Sequence, residues 1–325
     1  MSVRRAAAAV LIPAAWCACA VRRPAPPPPR ADMIRGVQQE VRRLGVPETG
    51  NFERKGKREA YFRCYYTGKL ELPDSYEGLQ MKDGSAAGCG VDEERYDVFF
   101  YRIEALAGTK TPVTQAFQET SEERAAFVVA HEDLHEDRAL ERLPVRVNEA
   151  AATLLGFLAA ARYARNQRGA GSELYRNLAR EPGLYLKKAR LVNRGHRLLQ
   201  ELYRRFDRGL LSRSEALAEK ERLFAEMREA CQREEPEPTS FNKCLTANNN
   251  AGLAFEITYT RWYPLLYEVH QALGGDLEAT IRALRRAAGV RGEGEEPVKE
   301  ALERIARGCR PERDVTGGDH CGAER

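Results

Sequence analysis

Residues 128–137 read VVAHEDLHED, which places two histidines four positions apart with a glutamate directly after the first. On an α-helix, residues i and i+4 lie on one face, one turn apart, so His131 and His135 can direct two imidazoles at a single metal ion. Glu132 is rotated by roughly 100° from His131, where it can reach a water molecule at that ion. The pattern predicts either a zinc site or an acidic helix that carries two histidines by chance.

The helix that carries this motif has recognisable ends. Thr120 and Glu123 have the spacing of a capping box, and residues 125–130 give the helix an apolar body. Pro144 is expected to stop this helix. A second, strongly apolar helix is predicted from about Val147, and its apolar run AAATLLGFLAAA is too short to span a bilayer. This second helix should lie in the core of the protein.

A catalytic zinc ion takes three protein ligands and keeps one open position. Thirteen residues separate His135 from Glu149, which is enough for one helix to end and a second to return. Glu149 would lie in the first turn of the second helix, facing the histidines, and is therefore the candidate third ligand. Glu132 would act as general base, taking a proton from the activated water that attacks a peptide carbonyl.

Polar residues outside this motif are also candidates for the site, and some of them allow two interpretations. Tyr259, in EITYTRWYP, is the best candidate for stabilising a tetrahedral oxyanion, but it also fits a core aromatic on an amphipathic helix. Residues 248–250 are three asparagines that could bind substrate or cap the following helix. His196 and His270 lie on amphipathic segments and are expected at the surface or its boundary.

The rest of the chain predicts an α+β fold that is mainly α-helical, with a small N-terminal β-sheet and a helical C-terminal half. The segments AYFRCYYTGKLEL and YDVFFYRIEAL have strand composition, and PDSYEG and KDGSAAGCG punctuate them as turns. Residues 33–47 resemble a short helix. Residues 184–231 predict two long amphipathic helices hinged at DRGLLSRSE, and residues 249–289 predict two more.

The N-terminus has the features of an export signal. Arg4 and Arg5 precede an apolar stretch, Ala6 to Ala20, and Ala18-Cys19-Ala20 fits a cleavage site of small residues. Residues 1–20 are therefore predicted to be either a cleaved signal peptide or a lipoprotein leader that anchors the chain to a membrane through Cys19. We expect an exported protein, either periplasmic or membrane-anchored.

A proline-rich tether, residues 21–32, follows the leader. A single catalytic domain is predicted over residues 33–308, before a tail at 309–325. Its parts are a β-containing region at about 58–117, active-site helices at about 120–166 and a helical region at about 172–308.

Six cysteines remain after the leader, an even number that suggests disulfides in an exported chain. Their order favours the local pairs 64–89, 231–244 and 309–321, although six cysteines allow fifteen connectivities.

Composition argues against several function classes. The net charge is only +4, and the arginines are interleaved with glutamates, which is typical of solvated helix faces and not of a nucleic-acid-binding surface. The sequence has no glycine-rich phosphate loop and no G-x-S-x-G nucleophile elbow.

The order HEDLH followed by NEAAATLLG resembles the HExxH…NE pattern of gluzincin zinc metallopeptidases, the thermolysin-like group. More closely, the chain resembles a bacterial family of exported or lipid-anchored proteins called predicted aminopeptidases, over about residues 44–286. The segments that carry this resemblance are LGVPETGNFERK, LSRSEALAEKERLFAEMREA and NNAGLAFEITYTRWYPLLYEVHQALGGDLEATI.

The resemblance implies a zincin-like catalytic domain, a peptide substrate and Zn²⁺ held by His131, His135 and Glu149, with Glu132 as the base. Asp133 and Glu136 depart from the HELAHQ pattern of that family. Two hypotheses follow. The first is a zinc-dependent peptidase, and the second is a metal-binding or scaffolding protein of the cell envelope with little or no hydrolytic activity.

Overall fold

The structure, a computed structural model, describes residues 30–106, 110–234 and 248–308. It has the predicted α+β architecture, mainly helical with a small antiparallel sheet. The predicted leader and C-terminal tail lie outside the described residues, as does most of the tether. Ala31 and Asp32, predicted to end the tether, instead open the first helix.

The N-terminal half contains the sheet and the two helices of the sequence motif. Its elements are α1 (Ala31–Arg43), β1 (Tyr61–Gly68), β2 (Gln80–Asp83), β3 (Tyr96–Ile103), α2 (Gln115–Glu119), α3 (Glu122–Leu134) and α4 (Val145–Arg168). The C-terminal half is helical in its described residues. Its elements are α5 (Glu173–Asp207), α6 (Arg213–Glu234), α7 (Asn250–Thr260), α8 (Tyr263–Ala272), α9 (Leu277–Ala287) and α10 (Glu296–Ala306).

The predicted pair of long helices is confirmed as α5 and α6, but residues 249–289 form three helices where the sequence suggested two. Pro264 stands at the start of α8 and cannot donate a backbone hydrogen bond to a continuing α7. Gly274 and Gly275 then both adopt positive φ, +73° and +71°, which ends α8 before Asp276 caps α9.

The sheet has the strand order β2-β1-β3, and both pairings are antiparallel. A disulfide joins Cys64 of β1 to Cys89 in the loop after β2, which confirms the first predicted pair. Cys231 is also disulfide-bonded. The other cysteines of the predicted pairs, Cys244, Cys309 and Cys321, lie outside the described residues.

One face of the sheet is aromatic and packs against α7. Tyr65 of β1 lies opposite Phe99 of β3, and Tyr101 follows two residues later on the same face. The ring centroids of these three side chains lie 5.2, 4.9 and 5.2 Å from that of Phe255. This packing fixes α7, which also carries Tyr259, against the sheet.

Helix α4 forms the centre of the protein. It packs against α1, α3, α5, α7, α8 and α9, and residues 150–157 are all buried. A helix that is apolar around most of its circumference has to lie inside a protein or a membrane. None of the helices that the structure describes is long and apolar enough to cross a membrane. The expectation that AAATLLGFLAAA is a core helix is therefore confirmed.

A buried ion pair connects the sheet to the C-terminal helices. Lys220 of α6 donates to Asp97 of β3 at 2.5 Å and to the carbonyl of Lys69 at 2.9 Å. Asp97 also accepts from the backbone N–H of Asn250 at 2.8 Å and lies 3.2 Å from Nζ of Lys69. Asn249 caps α7 by accepting from Gly252. Of the two interpretations of the asparagines, the structure therefore supports helix capping by Asn249, and the contacts of Asn250 hold the start of that helix in place.

Candidate metal centre

Helix α3 begins one residue later than predicted. The side chain of Ser121 accepts a hydrogen bond from the backbone N–H of Arg124 at 3.2 Å, and Thr120 belongs instead to the end of α2. The predicted capping box of Thr120 and Glu123 is therefore wrong in register. His135 directly follows the last helical residue and keeps helical dihedral angles, φ −66° and ψ −19°. The imidazoles of His131 and His135 consequently stay on one face.

The turn between the two helices also differs from the prediction. α3 ends at Leu134, well before Pro144, and Pro144 instead precedes the first residue of α4. Because α4 begins at Val145, Glu149 lies in its second turn and not in its first. The helix returns past the histidines as expected, and the carboxylate faces them.

Three side-chain atoms converge between α3 and α4. The Nε2 atoms of His131 and His135 are 3.1 Å apart, and each lies 3.4 Å from Oε2 of Glu149. Together the three residues form a group that could hold a metal ion. In a tetrahedral zinc site, ligand atoms about 2.0–2.1 Å from the ion are separated by about 3.3 Å. Oε2 of Glu149 is also buried without a hydrogen bond. The donor set and its spacing thus fit a tetrahedral cation.

Charges at this centre depend strongly on one another. Burial lowers the pKa of His135, but the facing carboxylate of Glu149 outweighs burial and raises that pKa to about 9. Burial likewise opposes ionisation of Glu149, yet the two histidines hold its pKa well below the usual range. Burial raises the pKa of Glu132. A carboxylate in such an environment accepts a proton more readily than one in open solvent.

Asn148 orients one of the histidines. Its amide nitrogen donates to the carbonyl of Leu140 at 2.7 Å, which turns its oxygen toward Nδ1 of His135, 2.8 Å away. Nδ1 of His135 is therefore the donor, and in the neutral imidazole the lone pair lies on Nε2, which faces Glu149 and His131. This contact fixes both the ring and the tautomer that a metal ligand needs.

Two acidic residues of the motif stabilise the packing of α3. Asp133 is buried and accepts hydrogen bonds from Thr49 at 2.6 Å and Asn51 at 3.1 Å; burial raises its pKa to about 6. Asp137 caps the following turn and forms an ion pair with Arg285 of α9. These carboxylates hold α3 against neighbouring segments, which explains why extra acids surround the histidines.

All five predicted site residues line one cavity of about 900 Å³. They are His131, Glu132, His135, Glu149 and Tyr259. Tyr259 belongs to the aromatic packing, with its ring 5.4 Å from that of Phe255, and its ring also lies 6.4 Å from that of His131. Its role as an oxyanion donor stays a prediction. Burial raises the pKa of Tyr259, so its phenol remains a donor at neutral pH.

Sequence reasoning missed Tyr76, which belongs to the predicted turn PDSYEG. Its hydroxyl donates to Oε1 of Glu149 at 3.3 Å, and its ring lies 6.4 Å from that of Tyr259. Seventy-three positions separate Tyr76 from Glu149, and no local pattern reveals such a contact. His196 and His270, expected at the surface, are both buried, because α5 and α8 turn these faces inward.

A family model described as "Putative aminopeptidase" matches residues 76–297, a span that contains both helices of the metal centre, Tyr76 and Tyr259. The chain belongs to this family. No curated protein matches the sequence, and no solved structure does. The description of the family suggests peptidase activity, and the predicted site residues here lie within the matched span.

Proposed function

We propose that the protein is a zinc-dependent peptidase of the gluzincin type, with His131, His135 and Glu149 as zinc ligands. The observation that carries the proposal is the triangle of two imidazole nitrogens and one carboxylate oxygen, with edges of 3.1–3.4 Å, at the wall of a substrate-sized cavity. Two histidines and a glutamate, with an open fourth position, are a donor set of catalytic zinc. Membership of the family supports peptide-bond hydrolysis.

A zinc ion held there would polarise the peptide carbonyl and lower the pKa of water to about 7. Glu132 lines the cavity beside the ligands, where it would accept a proton from the attacking water and pass it to the departing amine. Tyr259 faces the same space with a protonated hydroxyl and would donate to the oxygen on which negative charge develops. Tyr76 would hold Glu149 in its orientation through the other carboxylate oxygen.

We further propose that the protein works outside the cytoplasm. The predicted leader would direct its export, and the protein would then be either released or anchored through Cys19. The Cys64–Cys89 disulfide supports this location, because disulfides persist in oxidising compartments.

The test is metal content and turnover of the full chain. About one zinc per chain is expected, and His131→Ala and Glu149→Ala should both lose it. Glu132→Gln should keep the zinc but reduce cleavage of a peptide library by a factor of about 100 or more, because it removes the base alone. A chain that binds zinc but cleaves no peptide would favour the metal-binding envelope protein. Failure to bind zinc on reconstitution would contradict both functions.

A further inference from the structure

Helix α5 has one face on which positive charge is not interleaved with negative charge. Residues 176–200 include a single acidic residue, Glu181, and its side chain is buried. Four exposed arginines of that span fall within an arc of about 100° around the helix axis, at 3.6 residues per turn. These four residues, called here the basic face of α5, are Arg180, Arg190, Arg194 and Arg197.

The acids that the structure describes do not neutralise the basic face. None of its four arginines forms an ion pair with a described carboxylate, whereas Lys187, on the same side of the helix, lies 3.6 Å from Glu234. A further exposed arginine lies alongside, because the carbonyl of Arg261 accepts from Asn193 of α5 at 3.2 Å. A surface of uncompensated cations attracts an anionic partner.

Exposed apolar side chains accompany these arginines. Leu198 directly follows Arg197, falls within the same arc and is 43% exposed. Leu210 is 65% exposed just beyond the end of α5, where its backbone N–H donates to the carbonyl of Arg205 at 3.0 Å. Phospholipid headgroups attract the cations, and the boundary with the acyl chains accepts the leucines. The combination therefore suits a membrane surface better than a soluble polyanion.

The chain enters the described structure close to this helix. Arg30, the first described residue, donates to the carbonyl of Ser121 at 3.1 Å. Two residues further on, Glu123 accepts from Asn177 of α5 at 3.0 Å. The ten residues between Cys19 and Arg30 can reach at most about 35 Å. A lipid anchor at Cys19 would therefore hold α5 close to the membrane.

We propose that the basic face of α5 binds the anionic headgroups of a phospholipid membrane, with Leu198 and Leu210 at the boundary of the acyl chains. The four arginines extend over about 26 Å of the helix axis, so the helix lies along the membrane surface. This binding orients the domain on the membrane. The inference goes beyond the proposed hydrolysis and does not depend on it.

Sedimentation with vesicles tests the inference. The full chain carrying Cys19→Ala, which removes the lipid attachment site, is mixed with vesicles of phosphatidylcholine alone or of phosphatidylcholine with about one third phosphatidylglycerol. At about 50 mM salt it should partition roughly 100-fold more strongly to the anionic vesicles, because each basic residue near such a surface contributes about a factor of five. Raising the salt to about 500 mM should remove most of this preference.

Two sets of arginine substitutions assign the preference to this face. Changing all four arginines of the basic face to glutamine should reduce the preference by about 100-fold. The matched control changes four exposed arginines on other segments to glutamine, loses the same charge, and should reduce the preference less than about threefold. The control positions are Arg54, Arg282, Arg286 and Arg291.

A third variant tests the apolar contribution. Leu198→Ser combined with Leu210→Ser leaves the charge unchanged and should weaken binding to the anionic vesicles by about tenfold. A loss of binding in the arginine variant without any effect of the leucine variant would assign the face to a soluble polyanion and contradict membrane binding.

Other outcomes would also overturn the inference. Equal losses in the two arginine variants would show that net charge, and not the basic face, controls binding. An anionic preference that persists at high salt would show the same without any substitution on α5. Zinc content and peptide cleavage are measured on the same samples. Vesicle binding without zinc would contradict the proposed hydrolysis alone, and zinc-dependent cleavage without an anionic preference would contradict only the role of α5.

Discussion

Asn148 accepts a hydrogen bond from Nδ1 of His135 at 2.8 Å while its own amide donates to the carbonyl of Leu140 at 2.7 Å. Leu140 belongs to the turn that Asp137 caps, and Asp137 is paired with Arg285 of α9. A chain of polar contacts therefore connects the imidazole of His135 to a distant helix. Asn148 sets the direction of one proposed metal ligand, and the next residue, Glu149, is another.

Replacing Asn148 with alanine should weaken zinc binding by about 10- to 100-fold, because partners that orient metal-bound histidines have effects of this size. The measurement is competition with a chromophoric chelator at constant pH. Asn166→Ala is the matched control, since it removes an asparagine from the same helix that contacts Glu40 and not the metal centre. Equal affinities of the two variants would show that His135 needs no such partner.

The Lys220–Asp97 pair predicts a large stability effect far from the active site. Lys220→Met should lower the free energy of unfolding by about 3 kcal/mol, the low end for a broken buried ion pair, because Asp97 loses its buried cation and keeps only the partly exposed Lys69. Chemical denaturation measures this loss. Lys187→Met, which removes an exposed lysine from a pair with Glu234, should change stability little. A small effect of both would mean that Lys69 alone neutralises Asp97.

Local patterns predicted the two helices of the site and the three contacts among His131, His135 and Glu149. The spacing of His131 and His135 fixes their common face once the segment is helical, and the length of the intervening turn allows Glu149 to return. The strand compositions and the Cys64–Cys89 pair were likewise read from nearby residues. These features depend on short sequence separations, where backbone geometry alone restricts the answer.

The contacts and burial that the sequence did not reveal depend on packing between distant segments. Tyr76 reaches Glu149 only because the loop before β2 folds over α7, where Thr258 accepts from its backbone N–H. Lys188 of α5 and Glu256 of α7 form a buried ion pair, with Nζ 2.8 Å from Oε2. In the sequence alone, each of them resembles a residue on a solvated helix face. His196 was placed at the surface because its helix is amphipathic, yet tertiary packing buries it.

His196 should make the folded state sensitive to mild acid. Burial lowers its pKa from 6.5 to about 4, with the nearby Asp74 opposing and Arg261 and Arg146 assisting. Below pH 6.5 the imidazole of His196 binds a proton in the unfolded chain, whereas in the folded chain it binds one only below about pH 4. Stability is therefore complete above pH 6.5 and falls as the pH is lowered, by up to about 3 kcal/mol from this group.

The measurement is the free energy of unfolding between pH 7 and pH 4 for the unmodified chain and for His196→Asn. Other titrating groups act equally on both proteins, so the difference between the two curves isolates His196. The variant should show a shallower decline below pH 6.5. Parallel curves would mean that His196 is protonated in the folded state and that Asp74, 3.6 Å from its Nε2, dominates over burial.

Gly156 allows α4 to approach α3 behind the metal centre. A Cβ at this position would lie 3.3 Å from Cε2 of Phe127 and 3.4 and 3.5 Å from the backbone N and Cα of His131. The two backbone contacts are of ordinary van der Waals length, but the ring of Phe127 would have to shift by a few tenths of an ångström. Gly183, in α5, is the matched control, because a Cβ there would meet nothing within 4 Å. In a helix, glycine to alanine is intrinsically stabilising by about 0.5–1 kcal/mol.

Gly183→Ala should therefore raise the free energy of unfolding by about that amount, whereas Gly156→Ala should gain less, because the ring of Phe127 has to shift to accept the new methyl group. The ring that has to shift, Phe127, lies 5.3 Å from the imidazole of His131, so zinc affinity should fall in this variant and stay unchanged in Gly183→Ala. Denaturation curves and zinc competition on the same samples measure both effects. A Gly156→Ala protein that gains stability and keeps its zinc affinity would show that the spacing of α3 and α4 is not what holds the ligand triangle at 3.1–3.4 Å.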